Sequence, residues 1–362
     1  MTADEEYMQV ALKLAQRGIG LVEPNPMVGC CLVKSNQIIG KGFHKKFGSA
    51  HAEINAFADC KRKGYNPAGA TMYVTLEPCC HFGKTPPCTK TIIKSGIKKV
   101  VAATKDPTKK VNGKGFKILK KAGIKVVTGI CKNEAEELNA AFFCLARGKR
   151  PWIIIKWAQS ADEYLARTDK KRWITGSKSR KDVHKLRKRV QAVLVGINTV
   201  LADNPMLTAR PCSGHQPLRV VLDSQLKIPA DCKIIRTAKK NPVLIFTAHK
   251  NNKKIPVLKK KGAEIIKVQT VAGKCSIKDV LKELAERNIQ QILVEGGKEV
   301  ITSFLKQNLA DEIVVYTSAE KLAKNGKIVA SRPMKRMYDY LKKNHRGKKQ
   351  FDTDTCLTDF IE

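Results

Sequence analysis

Long apolar runs are missing from this chain. Its most hydrophobic stretches, such as Trp152 to Ile155 and Ile313 to Tyr316, are strand-sized. They fall well short of the roughly 20 residues needed to cross a bilayer, which argues against a membrane-spanning helix. A signal-peptide pattern is absent at Met1-Thr2-Ala3-Asp4-Glu5-Glu6, and the 12 cysteines are scattered rather than framed as a disulfide scaffold, so a reducing, cytoplasmic location is expected. No fixed-period repeat and no long low-complexity tract occur. No strand leads into a GxGxxG turn, so nothing indicates a Rossmann dinucleotide site.

Acidic residues are scarce: 32 Asp and Glu stand against 69 Lys and Arg, a formal net charge of +37. A charge of this size raises nucleic-acid binding, because neutralised phosphates release counterions. The distribution argues against it. Lysine pairs recur in nearly every segment, as at Lys45-Lys46, Lys98-Lys99, Lys239-Lys240 and Lys348-Lys349, and no aromatic residues alternate with them. A solvated surface rich in lysine is the expectation, and its positive field would favour a phosphorylated small-molecule substrate. A homo-oligomer stays open.

The 362 residues exceed what one core usually serves, so two domains are expected. Glu5 to Arg17 reads as an amphipathic helix, followed by strands at Val28 to Val33 and Ile38 to His44 around a hairpin-like Lys34-Ser35-Asn36-Gln37. A helix at His51 to Lys63 and an alternating strand at Thr71 to Leu76 come next. Then come a helix at Thr89 to Ser95, a strand at Lys99 to Ala103, a helix around Phe116 to Ala122, a strand at Lys125 to Thr128 and a helix at Glu134 to Arg147. The alternation implies an α/β/α layer with a largely parallel sheet. Gly148-Lys149-Arg150-Pro151 breaks the pattern, which puts one domain at 1–148 and another at 149–362. Strand-like runs continue at Ala192 to Val195, Arg219 to Leu222, Val243 to Thr247, Glu264 to Val268, Gln291 to Glu295 and Ile313 to Tyr316. Lys342 to Lys349 reads as a solvated loop before a last strand near Thr355 to Ile361.

The chemistry concentrates in His51-Ala52-Glu53 and in the segment from Glu77-Pro78-Cys79 to Pro86-Pro87-Cys88. A catalytic zinc takes three protein ligands and keeps a fourth position for water, with a nearby carboxylate to carry the proton. His51, Cys79 and Cys88 fit the ligands and Glu53 the carrier. Pro78 suits the first turn of a helix, where Cys79 would gain thiolate character. The expected reaction is attack of a zinc-polarised water on an amino-bearing ring carbon, Glu53 passing the proton to the departing ammonia. Each residue has a bland reading, as a core histidine, a first-turn charge or buried cysteines. A structural zinc would need a fourth ligand from Cys80 or His81 and would leave Glu53 without a role.

Pro24-Asn25-Pro26-Met27-Val28-Gly29, Gly42-Phe43-His44, His51-Ala52-Glu53, Thr75-Leu76-Glu77-Pro78-Cys79 and Gly83-Lys84-Thr85-Pro86-Pro87-Cys88 resemble the deaminase domain of the bifunctional riboflavin-biosynthesis deaminase/reductase family. The resemblance implies a cytidine-deaminase-like domain, with Asn25, His44 and His81 holding the pyrimidine. In the second half, Lys156-Trp157-Ala158-Gln159-Ser160, Trp173-Ile174-Thr175-Gly176, the run from Val195 to Pro205, Leu207-Thr208-Ala209-Arg210 and Glu295-Gly296-Gly297 are similar to the same family's reductase domain. This implies a dihydrofolate-reductase-like α/β fold using NADPH. By position, Ala158, Trp173, Thr199, Asp203 and Gly297 would contact NADPH, and Lys156, Arg187, Leu207, Arg210 and Glu295 the phosphoribosyl substrate, with Arg187 and Arg210 as phosphate forks.

The chain departs from the family at Cys80, at Glu163 where glycine is usual, at Lys171, and in Ala319-Glu320-Lys321-Leu322-Ala323 after Tyr316. A turn needing positive φ would be strained by Glu163. The readings are therefore a two-step enzyme using Zn2+ and NADPH, an active deaminase joined to a degenerate reductase, and a non-catalytic basic zinc protein that binds nucleic acid.

Overall fold

In a computed structural model, alternate residues of each strand face opposite ways, and the apolar ones on both faces are covered by helices. All residues are described except 84, 85, 149, 170, 172, 211–215, 250, 251 and 362, so Lys84 and Thr85 of the second deaminase-like motif lie outside the described residues. The chain divides into two compact units, Met1–Lys149 and Arg150–Glu362.

The first unit runs α1 (Ala3–Ala15), β1 (Gly29–Lys34), β2 (Gln37–Phe43), α2 (Ala52–Arg62), β3 (Thr71–Val74), α3 (Cys88–Lys94), β4 (Lys99–Ala102), α4 (Lys114–Lys121), β5 (Lys125–Thr128), α5 (Lys132–Leu138) and α6 (Ala140–Gly148). Its sheet order is β2-β1-β3-β4-β5. β3, β4 and β5 are parallel, but β1 is antiparallel to both neighbours, so the sheet is mixed rather than largely parallel. The cause is the short β1–β2 connection, where Ser35 and Asn36 both take positive φ in a tight hairpin turn. Cys30, Leu32, Met72, Val74 and Val100 pack under α2, α3 and α4, while Cys31, Val33, Tyr73 and Val101 pack under α1 and α5. A Cβ on Gly42 would land on the Ala52 carbonyl and the Ala56 amide, so glycine there lets α2 lie close against β2.

Three expectations need correction. Pro78 and Cys79 lie in irregular chain, and the helix begins at Cys88, because Pro86 and Pro87 disfavour helical backbone before them and Pro87 precedes the first turn. The helix expected over 134–147 is two helices parted at Asn139, whose buried side chain bonds the Met27 backbone instead. Lys342 to Lys349 is the end of one helix and most of a strand, not a loop.

The second unit comprises β6 (Trp152–Gln159), β7 (Tyr164–Arg167), α7 (Ser177–Arg189), β8 (Ala192–Gly196), α8 (Ile197–Asp203), β9 (Leu218–Leu222), α9 (Lys233–Arg236), β10 (Val243–Thr247), α10 (Lys254–Lys260), β11 (Ala263–Lys267), β12 (Thr270–Val271), β13 (Lys274–Cys275), α11 (Ile277–Glu286), β14 (Gln291–Val294), α12 (Lys298–Lys306), β15 (Glu312–Thr317), β16 (Gly326–Val329), α13 (Arg332–Asn344), β17 (Gly347–Phe351) and β18 (Asp354–Phe360). Its main sheet has the order β11-β10-β9-β8-β14-β6-β15-β18-β17, parallel as far as β15 and antiparallel beyond. Helices α11, α12 and α13 cover one face, and α7, α8, α9 and α10 the other. Among the described residues no helix is long and apolar enough to cross a membrane.

Candidate active sites

In the first unit, Asn55 sends its side-chain amide to the carbonyls of Phe43 and Ala50 at 2.8 and 3.1 Å, which fixes the start of α2. His51 stands at the N-cap of α2 and Glu53 lies buried in its first turn. Cys79 follows β3 and Cys88 opens α3. The ligating atoms of His51, Cys79 and Cys88 lie within 4.8 Å of one another, with His51 Nδ1 at 3.5 Å from Cys79 Sγ and 3.4 Å from Cys88 Sγ. A tetrahedral zinc about 2.1 Å from nitrogen and 2.3 Å from sulfur requires an N···S separation of about 3.6 Å. The donor set therefore fits zinc in both chemistry and spacing.

The Cys79 thiol is held well below its usual range by hydrogen bonds from the Cys88 thiol and His51 and from the Cys88 amide at 3.3 Å. Burial and the neighbouring Cys79 raise Glu53, and its Oε2 is buried with no hydrogen-bond partner. His44 is buried. Its Nδ1 lies 3.1 Å from the Ala50 carbonyl, which assigns the proton there and leaves Nε2 to accept from the Asn25 amide at 3.0 Å. Burial lowers the His44 pKa, in keeping with a neutral ring. His81, half-buried on the Cys79 loop, has a buried Nδ1 without a partner.

Two residues without an assigned role in the sequence reading hold this site together. The buried Glu77 carboxylate accepts from the amides of Gly113 at 2.8 Å, Asp106 at 3.2 Å and Phe116 at 3.3 Å, so it ties the Cys79 segment to the loop before α4. Asn139 brackets Met27, accepting from its amide at 2.8 Å and donating to its carbonyl at 2.9 Å, two residues from Asn25. A visible cue existed for Glu77, which belongs to the Glu77-Pro78-Cys79 motif.

In the second unit, Arg187 on α7 forks onto Glu295 after β14, with Nε to Oε1 at 2.7 Å and Nη2 to Oε2 at 2.8 Å. Its Nη1 donates to the Thr208 carbonyl at 3.2 Å, and His184 Nδ1 lies 3.0 Å from the same oxygen. Three of Arg187's five donors are thus engaged within the protein, and His184 is a structural partner of Thr208. Burial pushes the Lys156 ammonium pKa down while Glu295 opposes that shift. Burial would raise Glu295, but Arg187 and Lys156 hold it low. Lys156, Arg187 and Glu295 form one half-buried cluster. Leu207 is buried at φ +55°, and Arg210 is exposed.

Thr199 and Gly297 also meet, the Gly297 amide donating to Thr199 Oγ1 at 2.9 Å where α12 begins. Glycine at 296 and 297 keeps the chain close to the first turn of α12 and to Thr199, and the turn suits the backbone approach a nucleotide phosphate needs. Trp173 is exposed, with Arg180 stacked 5.0 Å from its ring, on an open depression of about 750 Å³ that Arg167, Glu320 and Asp354 also line. Ala158 lies half-buried on β6, and Asp203 is exposed at the end of α8.

The description of the RibD C-terminal domain matches residues 151–343, and that of the cytidine and deoxycytidylate deaminase zinc-binding region matches residues 1–104. The RibD riboflavin biosynthesis protein of Aquifex aeolicus is 45% identical over 315 residues, covering 86% of each chain. The chain belongs to the RibD family. The RibD protein of Bacillus amyloliquefaciens is 43% identical over 316 residues, covering 86% of this chain and 84% of that one. Among solved structures, Acinetobacter baumannii RibD matches with a TM-score of 0.86 at 35% identity over 98% of both chains. The diaminohydroxyphosphoribosylaminopyrimidine deaminase/5-amino-6-(5-phosphoribosylamino)uracil reductase of Thermotoga maritima matches with 0.83 at 36%, again over 98% of both. The chain is a bifunctional deaminase and reductase of riboflavin biosynthesis, joining a cytidine-deaminase-like zinc-binding region to a dihydrofolate-reductase-like one. The cofactors of the family are zinc and NADPH.

Proposed function

We propose that residues 1–148 deaminate a phosphoribosylated diaminopyrimidinone and residues 149–362 reduce its ribosyl chain to ribityl. The single observation that carries the first step is the unpartnered, buried Glu53 Oε2 beside the convergent His51, Cys79 and Cys88. Zinc held by those three residues would supply Lewis acidity toward the attacking water. Burial makes the Glu53 carboxylate a stronger base, so it would take the water proton at Oε2 and return it to the leaving ammonia. Neutral His44 fixes the Asn25 amide, so that Asn25 Oδ1 is left to accept from the pyrimidine, and His81 closes the same side.

In the second unit, Lys156 and the two remaining Arg187 donors meet the phosphoribosyl end, and Arg210 adds charge from the rim. Glu295 acts by orienting Arg187. Ala158, Trp173, Thr199, Asp203 and the Gly297 turn form the NADPH surface.

The described cysteines are free thiols, which suits a cytoplasmic location. The dispersed lysines serve solubility and substrate attraction rather than a nucleic-acid partner, and weak, salt-labile binding to a generic RNA is the expected result. The decisive assay supplies zinc-loaded protein with the pyrimidine, with and without NADPH. Ammonia release followed by NADPH oxidation is expected. No ammonia would reject the first assignment, and ammonia without NADPH oxidation would select a degenerate second unit.

A further inference from the structure

Arg219, on β9, is fully buried, and among the described residues no carboxylate pairs with it. Taking an unpaired charge out of water is costly, and an aliphatic residue would suit a core strand better. The guanidinium is spent on neutral oxygens. Its Nη1 donates to Thr237 Oγ1 at 2.8 Å and to the Met206 carbonyl at 3.3 Å, and its Nη2 donates to the carbonyls of Thr237, at 3.2 Å, and Asn241. Its Nε has no partner. Thr237 is the C-cap of α9 and its carbonyl also accepts from the Lys240 and Asn241 amides, so the cation sits against the turn that ends the helix.

Met206 is the contact with consequences. Asn204 and Leu207 on either side of it have φ of +41° and +55°; the first is the left-handed C-cap of α8, which asparagine tolerates, but a buried leucine holds such a value only where the surroundings enforce it. Asn204 Oδ1 accepts from the Lys233 amide at 2.8 Å, so α9 grips the turn at a second point. One residue beyond Leu207, the Thr208 carbonyl receives His184 and Arg187, and Arg187 forks onto Glu295. A continuous path of hydrogen bonds and strained backbone thus runs from Arg219 to the Lys156–Arg187–Glu295 cluster.

We infer that Arg219 is a positioning residue for the reductase step, clamping the turn from Asn204 to Thr208 so that Arg187 is presented to the phosphorylated substrate. This rests on the reading that the Arg187 cluster binds that substrate. The test compares Arg219→Met, Arg219→Lys and the milder Thr237→Val in the full zinc-loaded chain, with ammonia release as an internal control. The KM for the pyrimidine in the reductase step should rise about tenfold in Arg219→Met, as small misplacements of binding groups cost rate steeply. The NADPH KM and deamination should stay parental. Arg219→Lys should recover only part of the loss, because an ammonium cannot span the same oxygens.

A parental pyrimidine KM in folded Arg219→Met overturns the proposal, as does a parallel rise in both KM values. If Arg219→Met does not fold, Thr237→Val decides, and a parental pyrimidine KM there overturns it equally. An Arg187→Lys chain with a parental pyrimidine KM would sink the reading of the cluster, and the proposal with it.

Discussion

Replacing Glu77 by glutamine should weaken the first unit and its grip on zinc together. The wild-type carboxylate is buried and gathers three amides, Oε2 taking Asp106 and Gly113 and Oε1 taking Phe116. A glutamine has only one accepting atom. If its oxygen takes the Oε2 place, two bonds survive and the new NH2 faces the Phe116 amide, donor against donor. The reverse orientation opposes two donors and is worse. One buried, unsatisfied donor costs about 1–3 kcal/mol. Glu77→Leu orphans all three amides, and the loss grows to roughly 3 kcal/mol or more on the same scale. Glu77 lies two residues before Cys79, so a loosened loop should also lower zinc affinity, by about 10- to 100-fold if it behaves like other groups supporting metal ligands. Denaturant unfolding of the first unit, followed by the fluorescence of an engineered probe, measures the stability term. Competition with a chromophoric chelator measures the zinc term. NADPH oxidation by the second unit, supplied with deaminated substrate, should be unaffected. Glu77→Gln with parental stability and parental zinc affinity would refute the reasoning.

Glu53→Gln should keep its zinc while deamination falls by about 10²- to 10⁴-fold, the usual worth of a positioned proton carrier; metal content with ammonia release checks both. Asp354 caps α7 from β18, accepting from the Gly176 amide at 2.7 Å and Ser179 Oγ at 2.6 Å while buried. Asp354→Ala should cost about 1–2 kcal/mol on the scale of lost N-caps, read by thermal unfolding. Burial raises Asp162, but hydrogen bonds from Ser160 and from the amides of Ala323 and Leu322 outweigh it and bring its pKa down to about 2. A depressed carboxyl pKa contributes stability above its unfolded value near 3.8, lost as pH falls through about 2. Asp162→Asn should therefore flatten the acid slope of second-unit stability within that window, and an unchanged slope in an acid titration would count against the assignment.

The alternating fold was legible because its strands carry apolar side chains toward helices on both faces, so runs such as Val243 to Thr247 could be placed on composition alone. The zinc site was legible for a different reason: an imidazole, two thiols and a carboxylate at such spacing have few other uses. What failed depended on partners far along the chain. The break at Asn139 exists because its amide satisfies Met27, 112 residues away, and nothing local announces that. Nor does anything local show that Glu295, 108 residues from Arg187, takes two of its donors. Helix α13 was a different kind of miss. Met334, Met337, Tyr338 and Leu341 have helical spacing and pack on the core, with Pro333 in the first turn, yet that pattern went unread and the helix end from Lys342 was assigned to a solvated loop.

Within the second unit the departures from the family pattern converge in space, which bears on whether that unit is degenerate. Glu163 does adopt the strained conformation, at φ +65°, and its carboxylate reaches Lys335 at 2.7 Å. Lys171 lies 3.5 Å from Glu320, which also receives the Arg167 guanidinium, itself held by Asp169. Asp162 binds the Leu322 and Ala323 amides of the same altered segment. A left-handed residue costs about 1–2 kcal/mol and a half-exposed ion pair returns about 0.2–1 kcal/mol, so the Glu163 turn is incompletely compensated. The deficit stays local. It falls on the β6–β7 turn and the segment after β15, whereas the Lys156, Arg187 and Glu295 cluster and the Thr199–Gly297 contact are intact. Erosion of a disused site would remove polar groups where ligands bind and leave orphaned partners behind. Here the altered positions have partners, Lys171 with Glu320, Glu163 with Lys335 and the 322–323 amides with Asp162, as expected of a reductase under continued constraint whose turn drifted.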